Sequence, residues 1–291
     1  MRRRFLLVEN PVAGTRHRRL VEQTVRQLER RGAAVERRVT QYAGQMSELA
    51  AQAARADRYD ALIAAGGDGT VREAVKGLLG TTLALGIIPC GTGNVLSYEL
   101  RLPRRADQLA AYLCQGPQHA VHPGIANGEA FLLMCGIGLD ADIVGKLDPN
   151  LKRRLGKAAY AMPILAGLCG APRPGLRLKG ETATTSTDWA VIAKSGRYGG
   201  PFRLTAKAGL FAGGLQLVTI TSQSNTGRAA RLASLALGIL DRMPGVAVRP
   251  CTRLEVSCDT PVMVQVDGDI IGTTPVMIDQ AQETISLIAP Q

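Results

Sequence analysis

The stretch Ala61–Val75, ALIAAGGDGTVREAV, constrains the fold of this chain more than any other feature of its sequence. Residues 61–65 are all small or aliphatic, as in a buried strand, and a helical pattern of apolar residues resumes at Val71. Three glycines surround one carboxylate, Asp68, between these two segments. A strand, a glycine turn and a helix in this order predict a parallel sheet, whose ligands bind at the carboxyl ends of the strands.

The first 100 residues repeat this alternation of strand and helix. The strand-like stretches are FLLVENP, AVERRVT, ALIAAGG and LALGIIPCG, and the helix-like stretches are RRLVEQTVRQLERRG, SELAAQAARADRYD and TVREAVKGLLG. Helices between parallel strands cover both faces of a sheet. We therefore predict an N-terminal α/β domain over residues 1–120.

Short β-type runs separated by Gly, Pro and Asn dominate the rest of the chain, from EAFLLMCGIG to the last run, ETISLIAP. Two helix-like segments, Leu151–Leu168 and Arg228–Met243, interrupt them. The pattern predicts a mainly antiparallel β domain over residues 121–291, with the boundary between Pro117 and Gly124.

Composition limits the class of protein. A chain of 291 residues with 46% hydrophobic residues can bury a substantial core. Its formal net charge of +11 attracts anions, but charge alone does not distinguish nucleotides, anionic lipids and nucleic acid.

The six cysteines show no metal-ligand or disulfide spacing, which favours a reducing cytoplasm. The apolar run Phe5–Val8 is too short for a signal peptide, and Pro163 interrupts the stretch 158–170, so we expect no membrane span.

Three glycine-bearing turns directly follow predicted parallel strands: Asn10–Gly14, Gly66–Thr70 and Cys90–Asn94. Parallel-sheet geometry brings such loops to one edge, where backbone N–H groups and helix N-termini bind anions. The alternative is that the glycines only permit tight turns. Neither the P-loop motif GxxxxGK[ST] nor the dinucleotide-binding motif GxGxxG is present, which argues against a P-loop NTPase and an NAD-dependent dehydrogenase. A carboxylate repels bare phosphate, so Asp68 indicates a bridging magnesium ion or a hydroxyl to be activated.

Several longer motifs carry a resemblance to a known family. They are NPVAG, GGDGTVRE, PCGTGN, CGIGLDADIV, GRYGGPFRL and VQVDGDIIGTTPV. In this order, from about residue 4 to 288, they resemble the diacylglycerol kinase catalytic family of bacterial lipid kinases, which also includes sphingosine and ceramide kinases. The resemblance implies an NAD-kinase-like α/β domain and a β-sandwich domain, with ATP and a lipid hydroxyl meeting between them.

The resemblance also implies which residues act. The nucleotide-site residues are Asn10, Pro11, Val12, Ala13, Gly14, Thr40, Gly66, Gly67, Asp68, Gly69, Thr70, Val71, Arg72, Glu73, Gly91, Thr92 and Asn94. The catalytic residues are Asp269, as general base, with Asp68 and Asp267. The family has Glu where this chain has Asp269, which retracts the carboxylate by about one C–C bond, ~1.5 Å.

The resemblance predicts one metal role and excludes another. Many family members bind a structural magnesium ion through acids that this chain lacks at Val95, His122 and Ala212–Leu217. We therefore expect no structural Mg²⁺, and a single Mg²⁺ that accompanies ATP near Asp68. Asp140 is expected either to shape the acceptor pocket or to be a buried structural carboxylate.

A lipid acceptor implies a cytoplasmic protein that associates peripherally with the inner face of the membrane. The segment 146–168 combines basic and apolar residues, as an interfacial helix or a core helix would, and RAARLASLALGIL is a second candidate. We expect ATP and lipid as partners, allow a homodimer, and expect no nucleic acid. Two alternatives stay open, an NAD kinase-like enzyme and a lipid-binding protein with weakened catalysis. The residues do not identify the lipid.

Overall fold

The computed structural model describes residues 1–12, 18–146, 175–180, 184–221 and 224–290. The chain forms two compact units, Met1–His122 with Gln282–Gln291, and Pro123–Ala281. The predicted fold class, an α/β domain followed by a β-sandwich domain, is confirmed.

The first unit is built on a six-stranded sheet. Its strands are β1 (Arg4–Glu9), β2 (Ala34–Val39), β3 (Ala61–Gly66), β4 (Ala84–Pro89), β5 (Gln118–Val121) and β20 (Ile285–Ile288), in the order β2-β1-β3-β4-β20-β5. All neighbours pair in parallel except β20 and β5. Every residue of β3 is buried, as its continuous apolar run predicts.

Helices connect these strands. They are α1 (Arg18–Arg30), α2 (Gln45–Ala56), α3 (Asp68–Leu78), α4 (Val95–Glu99) and α5 (Ala106–Gln115). In α1 the buried residues Val21, Thr24, Val25 and Leu28 recur at helical spacing, so one stripe of the helix packs inward. The predicted alternation of strand and helix is therefore present.

The last strand belongs to the first unit. The sequence-based boundaries place ETISLIAP in the second domain, residues 121–291, but β20 pairs with β4 and β5 of the α/β unit. The side chains of Ile285, Leu287 and Ile288 are fully buried there. The α/β unit thus needs the final segment of the chain to complete its sheet.

The second unit contains two six-stranded sheets. One has the order β10-β9-β16-β19-β6-β7 and consists of β6 (Gly124–Ala126), β7 (Glu129–Phe131), β9 (Leu176–Gly180), β10 (Thr184–Thr187), β16 (Arg253–Ser257) and β19 (Val276–Gln280). The other has the order β15-β14-β11-β8-β17-β18 and consists of β8 (Met134–Gly138), β11 (Trp189–Ala193), β14 (Leu215–Ile220), β15 (Val246–Cys251), β17 (Met263–Val266) and β18 (Asp269–Thr273). The pairs within both sheets are antiparallel.

One apolar core joins the two sheets. Phe131 (β7) and Ile278 (β19) come from one sheet of the second unit, and Ile137 (β8), Ile192 (β11) and Val264 (β17) come from the other. All five lie in the same buried cluster. Inward-facing side chains from two sheets form the core of a sandwich.

Shorter elements complete the second unit. A two-stranded ribbon consists of β12 (Arg197–Tyr198) and β13 (Phe202–Arg203), and the helices are α6 (Leu139–Gly145) and α7 (Asn225–Ala236). The predicted helix 228–243 corresponds to α7 and a short 3₁₀ turn, Leu240–Arg242. Most of the segment 146–168, including the other predicted helix, lies outside the described residues. Among the helices that are described, none has the length and apolarity to cross a membrane.

The placement of β20 generates a test of stability. Leu287→Ala should lower the free energy of unfolding by about 2–5 kcal/mol, because truncating this fully buried side chain of β20 would leave a cavity in the core of the α/β unit. Met277→Ala, on a side chain that is 38% exposed in the second unit, is the matched control and should change it little. Urea denaturation measures both, and equal effects would contradict the importance of β20.

Candidate functional site

Asn10 joins two of the predicted loops at the carboxyl edge of the first sheet. It follows β1, and its side-chain Nδ2 donates to Thr70 Oγ1 at 3.0 Å. Its Oδ1 accepts the backbone N–H of Val12 at 3.0 Å, which closes a local turn. Thr40, which follows β2, donates its backbone N–H to the carbonyl of Glu9 at 2.9 Å. The ends of β1, β2 and β3 are therefore connected.

Gly67 and Gly91 bring the loops after β3 and β4 into backbone contact. A Cβ on Gly91 would lie 2.5 Å from Gly67 Cα, which is closer than real Cβ contacts. A Cβ on Gly66 would lie 2.4 Å from the Thr70 side chain. The glycines thus permit close packing of adjacent loops, and this explains their presence without reference to a ligand.

Asn94 shapes the second of these loops. Its Oδ1 accepts the Gly91 N–H at 2.8 Å and its Nδ2 donates to the Gly91 carbonyl at 2.7 Å. Asn94 has a φ of 45°, and it immediately precedes α4. Asparagine tolerates this left-handed conformation better than most residues. The motif CGTGN is therefore a closed turn that begins a helix.

Asp68 lies at the first position of α3, and its carboxylate accepts two backbone N–H groups. Oδ2 accepts from Val95 at 3.0 Å and Oδ1 from Leu96 at 3.1 Å. The carboxylate therefore caps the N-terminus of α4. A carboxylate oxygen can accept more than one interaction, so capping a helix and contacting a cation are compatible roles for such a group.

The predicted nucleotide-site residues that the structure describes lie in these loops or in the first two turns of α3. Val71 is 2% exposed and faces the core, while Thr92 is exposed. Ala13 and Gly14 lie outside the described residues. The structure therefore brings the described part of the predicted set to one edge of one sheet.

In the second unit, Asp267 and Gly268 form the two-residue turn between β17 and β18. Their φ values are 50° and 94°, and Val266 pairs with Asp269 across the hairpin. Asp-Gly is the sequence that a type I′ turn favours, since both positions need positive φ. The motif VDGD is thus a tight hairpin.

The Asp267 carboxylate accepts three backbone N–H groups. Oδ2 accepts from Leu132 at 2.9 Å, and Oδ1 accepts from Leu133 and Met134, both at 2.9 Å. The backbone N–H of Asp267 in turn donates to the Met134 carbonyl at 3.0 Å. These bonds attach the hairpin turn to the segment that enters β8.

Asp269 begins β18, two residues after Asp267, and it is exposed. An exposed carboxylate can exchange protons with a bound molecule, whereas Asp267 is engaged with the backbone. Of the two acids in the VDGD motif, the structure therefore leaves Asp269 more accessible for chemistry.

Asp140, at the start of α6, is 3% exposed and has two side-chain partners. Its Oδ1 accepts a hydrogen bond from the Tyr198 hydroxyl, and its Oδ2 accepts one from Gln265 Nε2. Burial raises the pKa of Asp140, and these two hydrogen bonds act in the opposite direction. Asp140 is thus a buried carboxylate inside the second unit, one of the two expectations for it.

Gln265 was not among the residues selected from the sequence. It is 2% exposed between the buried Val264 and Val266 in β17. An amide within a run of valines is the one available signal, because a buried polar side chain requires partners.

The positions at which the resemblance implies metal-binding acids carry other residues. The Val95 side chain offers no oxygen, and Ala212–Leu217 contains no carboxylate. The buried Lys194 ammonium donates to the Ala212 carbonyl at 2.7 Å, and a positive charge disfavours a second cation nearby. Within the described ranges, no three His, Cys, Asp or Glu side chains form a group able to hold a metal.

Comparison with protein families identifies both parts of the chain. Residues 4–125 match the family model of the diacylglycerol kinase catalytic domain. Residues 134–289 match that of the YegS C-terminal NAD kinase beta sandwich-like domain.

Similar proteins with curated names include two kinases. The diacylglycerol kinase of Bacillus subtilis is 26% identical, over 99% of this chain and 97% of its own length. The diacylglycerol kinase of Staphylococcus aureus is 26% identical, over 100% of this chain and 93% of its own length. An uncharacterised Synechocystis protein is 30% identical over 79% of this chain, and the chain spans only 54% of that protein.

Solved structures show the same fold. A diacylglycerol kinase from Bacillus anthracis has a TM-score of 0.74 and 20% identity, and the match covers 99% of this chain and 97% of that one. A further B. anthracis crystal structure has a TM-score of 0.81 and 22% identity, with the same coverage.

The two hydrogen bonds of Asp68 predict a loss of stability in its amide variant. Asp68→Asn leaves one oxygen to accept a backbone N–H and turns an NH₂ group toward the other, so the free energy of unfolding should fall by about 1–3 kcal/mol. Asp57→Asn, at an exposed residue with a φ of 47°, is the control and should have little effect. Thermal unfolding compares them, and an unchanged Asp68→Asn protein would contradict the capping role.

Proposed function

The chain belongs to the diacylglycerol kinase catalytic family of lipid kinases, and we propose that it transfers the γ-phosphate of ATP to the hydroxyl of diacylglycerol or a related lipid. The observation that carries this proposal is the joint presence of the glycine loops and the exposed Asp269 in the motifs of that family.

The loops at the carboxyl edge of the first sheet would bind the nucleotide. The contact between Gly67 and Gly91 and the bond between Asn10 and Thr70 support one continuous surface there. Backbone N–H groups on such a surface bind phosphate oxygens, and the N-terminus of α3 contributes a favourable dipole. Asp68 would hold the Mg²⁺ that accompanies ATP, because carboxylate oxygens are ligands that Mg²⁺ prefers. When bound, that ion neutralises phosphate charge.

Asp269 would orient and deprotonate the acceptor hydroxyl. It is exposed, and it follows a tight turn that limits its position. Asp267 has bonds to three backbone N–H groups, so we propose that it holds this turn and supports catalysis indirectly. Phosphoryl transfer needs mainly positioning and charge stabilisation, and these roles suit that requirement.

A lipid acceptor lies in a membrane, so the protein would act as a peripheral protein at the inner face. The basic net charge of +11 supports attraction to anionic lipids. Lys152, Arg153, Arg154 and Lys157 belong to the segment 146–168, the candidate for an interfacial or a core helix, and they lie outside the described residues.

A transfer assay with labelled ATP tests the proposed reaction. The acceptors are diacylglycerol, phosphatidylglycerol, ceramide, a sphingoid base and a polyprenol, with NAD added to the panel. Labelled lipid supports the proposal, labelled NADP indicates the NAD kinase-like alternative, and lipid binding without transfer indicates weakened catalysis.

Replacement of Asp269 should separate catalysis from folding. Asp269→Asn should lower kcat by about 10²–10⁴-fold, because the general base is lost, and should leave thermal stability unchanged since the residue is exposed. Asp269→Glu should keep turnover, because the longer acid matches the family. The control is Asp259→Asn, a carboxylate in the same unit whose side chain is 80% exposed. Wild-type turnover by Asp269→Asn would exclude this residue as the base.

The missing acids predict a single metal dependence. At fixed ATP, turnover should rise as Mg·ATP forms and then show no separate metal requirement. The melting temperature without nucleotide should be nearly independent of Mg²⁺, because a ligand stabilises a protein only by binding its folded state. A clear Mg²⁺-dependent rise in that temperature would contradict the loss of the structural site.

A further inference from the structure

The turn that carries Asp269 is attached to the second unit on two sides. On one side the Asp267 carboxylate binds the backbone N–H groups of Leu132, Leu133 and Met134. On the other side the backbone N–H of Gly268 donates to Gln265 Oε1 at 2.7 Å. The second attachment leads directly to the buried acid.

Gln265 uses both ends of its amide. Oε1 accepts from Gly268, and Nε2 donates to Asp140 Oδ2. These two partners fix the amide orientation, because a backbone N–H needs an acceptor and a carboxylate needs a donor. The Tyr198 hydroxyl then binds the other oxygen of Asp140. A continuous chain of hydrogen bonds therefore runs from Tyr198 to the turn.

The backbone at Gly136 leaves room for this chain. Gly136 pairs with Gln265 across β8 and β17. A Cβ at Gly136 would lie 1.6 Å from Asp140 Oδ2 and 2.5 Å from Gln265 Nε2. The absence of a side chain at this position thus allows the carboxyl and the amide to meet over the strand.

We propose that Gln265 and Asp140 are positioning residues for phosphoryl transfer, which fix the Asp267–Gly268 turn and thereby the carboxylate of Asp269. The inference rests on the proposed function, since it assigns a role in that reaction. Neither residue needs to touch the substrate. Their effect passes through the backbone of Gly268, one residue before the proposed base.

The chemistry of Gln265 and Asp140 favours a role in positioning the turn over a role in stability alone. Removing a carboxylate and an amide from water is costly, and apolar side chains of similar size often stabilise such a core equally well or better. The Gln265 side chain is 2% exposed, and the residue paired with it on β8, Gly136, has no side chain. What an apolar side chain could not supply there is the acceptor for the Gly268 N–H.

Two nearly isosteric variants test the inference. Gln265→Met keeps the length of the side chain and removes both hydrogen bonds, and Tyr198→Phe removes only the hydroxyl that binds Asp140. With the lipid found by the transfer assay, Gln265→Met should lower kcat by about tenfold to a hundredfold, as misplacement of a reacting group does. Tyr198→Phe should lower it less. The KM for Mg·ATP should not change, because the proposed nucleotide residues belong to the other unit.

Hydrogen exchange provides a readout that does not require activity. The backbone amide of Gly268 should exchange faster in Gln265→Met than in the wild type, because its acceptor is gone. The control is Thr187→Val, which removes a buried hydroxyl bonded to the Ile220 carbonyl at 3.0 Å in the same unit. This control should lower the melting temperature without changing kcat or exchange at the turn.

The outcomes separate this inference from the proposed function. Faster exchange at Gly268 with a lower kcat and an unchanged KM supports positioning. A wild-type kcat in Gln265→Met overturns it, as does a fall in kcat that Thr187→Val reproduces at equal loss of stability. A wild-type protein that phosphorylates no lipid overturns the proposed function, and the inference with it.

Discussion

Carboxylates that accept backbone N–H groups hold together the loops on which both candidate regions depend. In the first unit Asp68 binds the N–H groups of Val95 and Leu96, and in the second Asp267 binds those of Leu132–Met134. Buried N–H groups require an acceptor, and a charged one makes the stronger bond. The acids of the two motifs therefore determine backbone geometry, whatever chemistry they also perform.

The sequence predicted the elements well and their partners less well. The spacing of apolar residues and the positions of glycines are local signals, so the sequence identifies ALIAAGG as a strand and TVREAVKGLLG as a helix. The strand ETISLIAP was equally recognisable, but its pairing with β4 is a contact between distant residues and has no local signal. The same limit applies to Asp267, whose partners precede it by more than 130 residues.

The candidate site shows the same division between residue type and role. Convergence of the glycine loops followed from parallel pairing, and the contact between Gly67 and Gly91 agrees with it. The sequence predicts that Asp68 acts on a metal or a hydroxyl, but it gives no signal for the bonds of Asp68 to α4, because the donor N–H groups belong to residues 27 and 28 positions later. Gln265 was missed because an isolated amide in a β run reveals nothing about its partners.

Three acids close to one another in the second unit differ in environment, and the difference suggests a division of roles. Asp140 is buried, Asp267 is bound to the backbone, and Asp269 is exposed. Aspartate has fewer rotatable bonds than the glutamate of the family, so its carboxylate samples fewer positions and depends more on where the backbone places it. A shorter acid at the end of a hairpin therefore requires a well-fixed turn. The hydrogen bonds of Asp267 to Leu132–Met134 and of Gln265 to Gly268 supply that constraint.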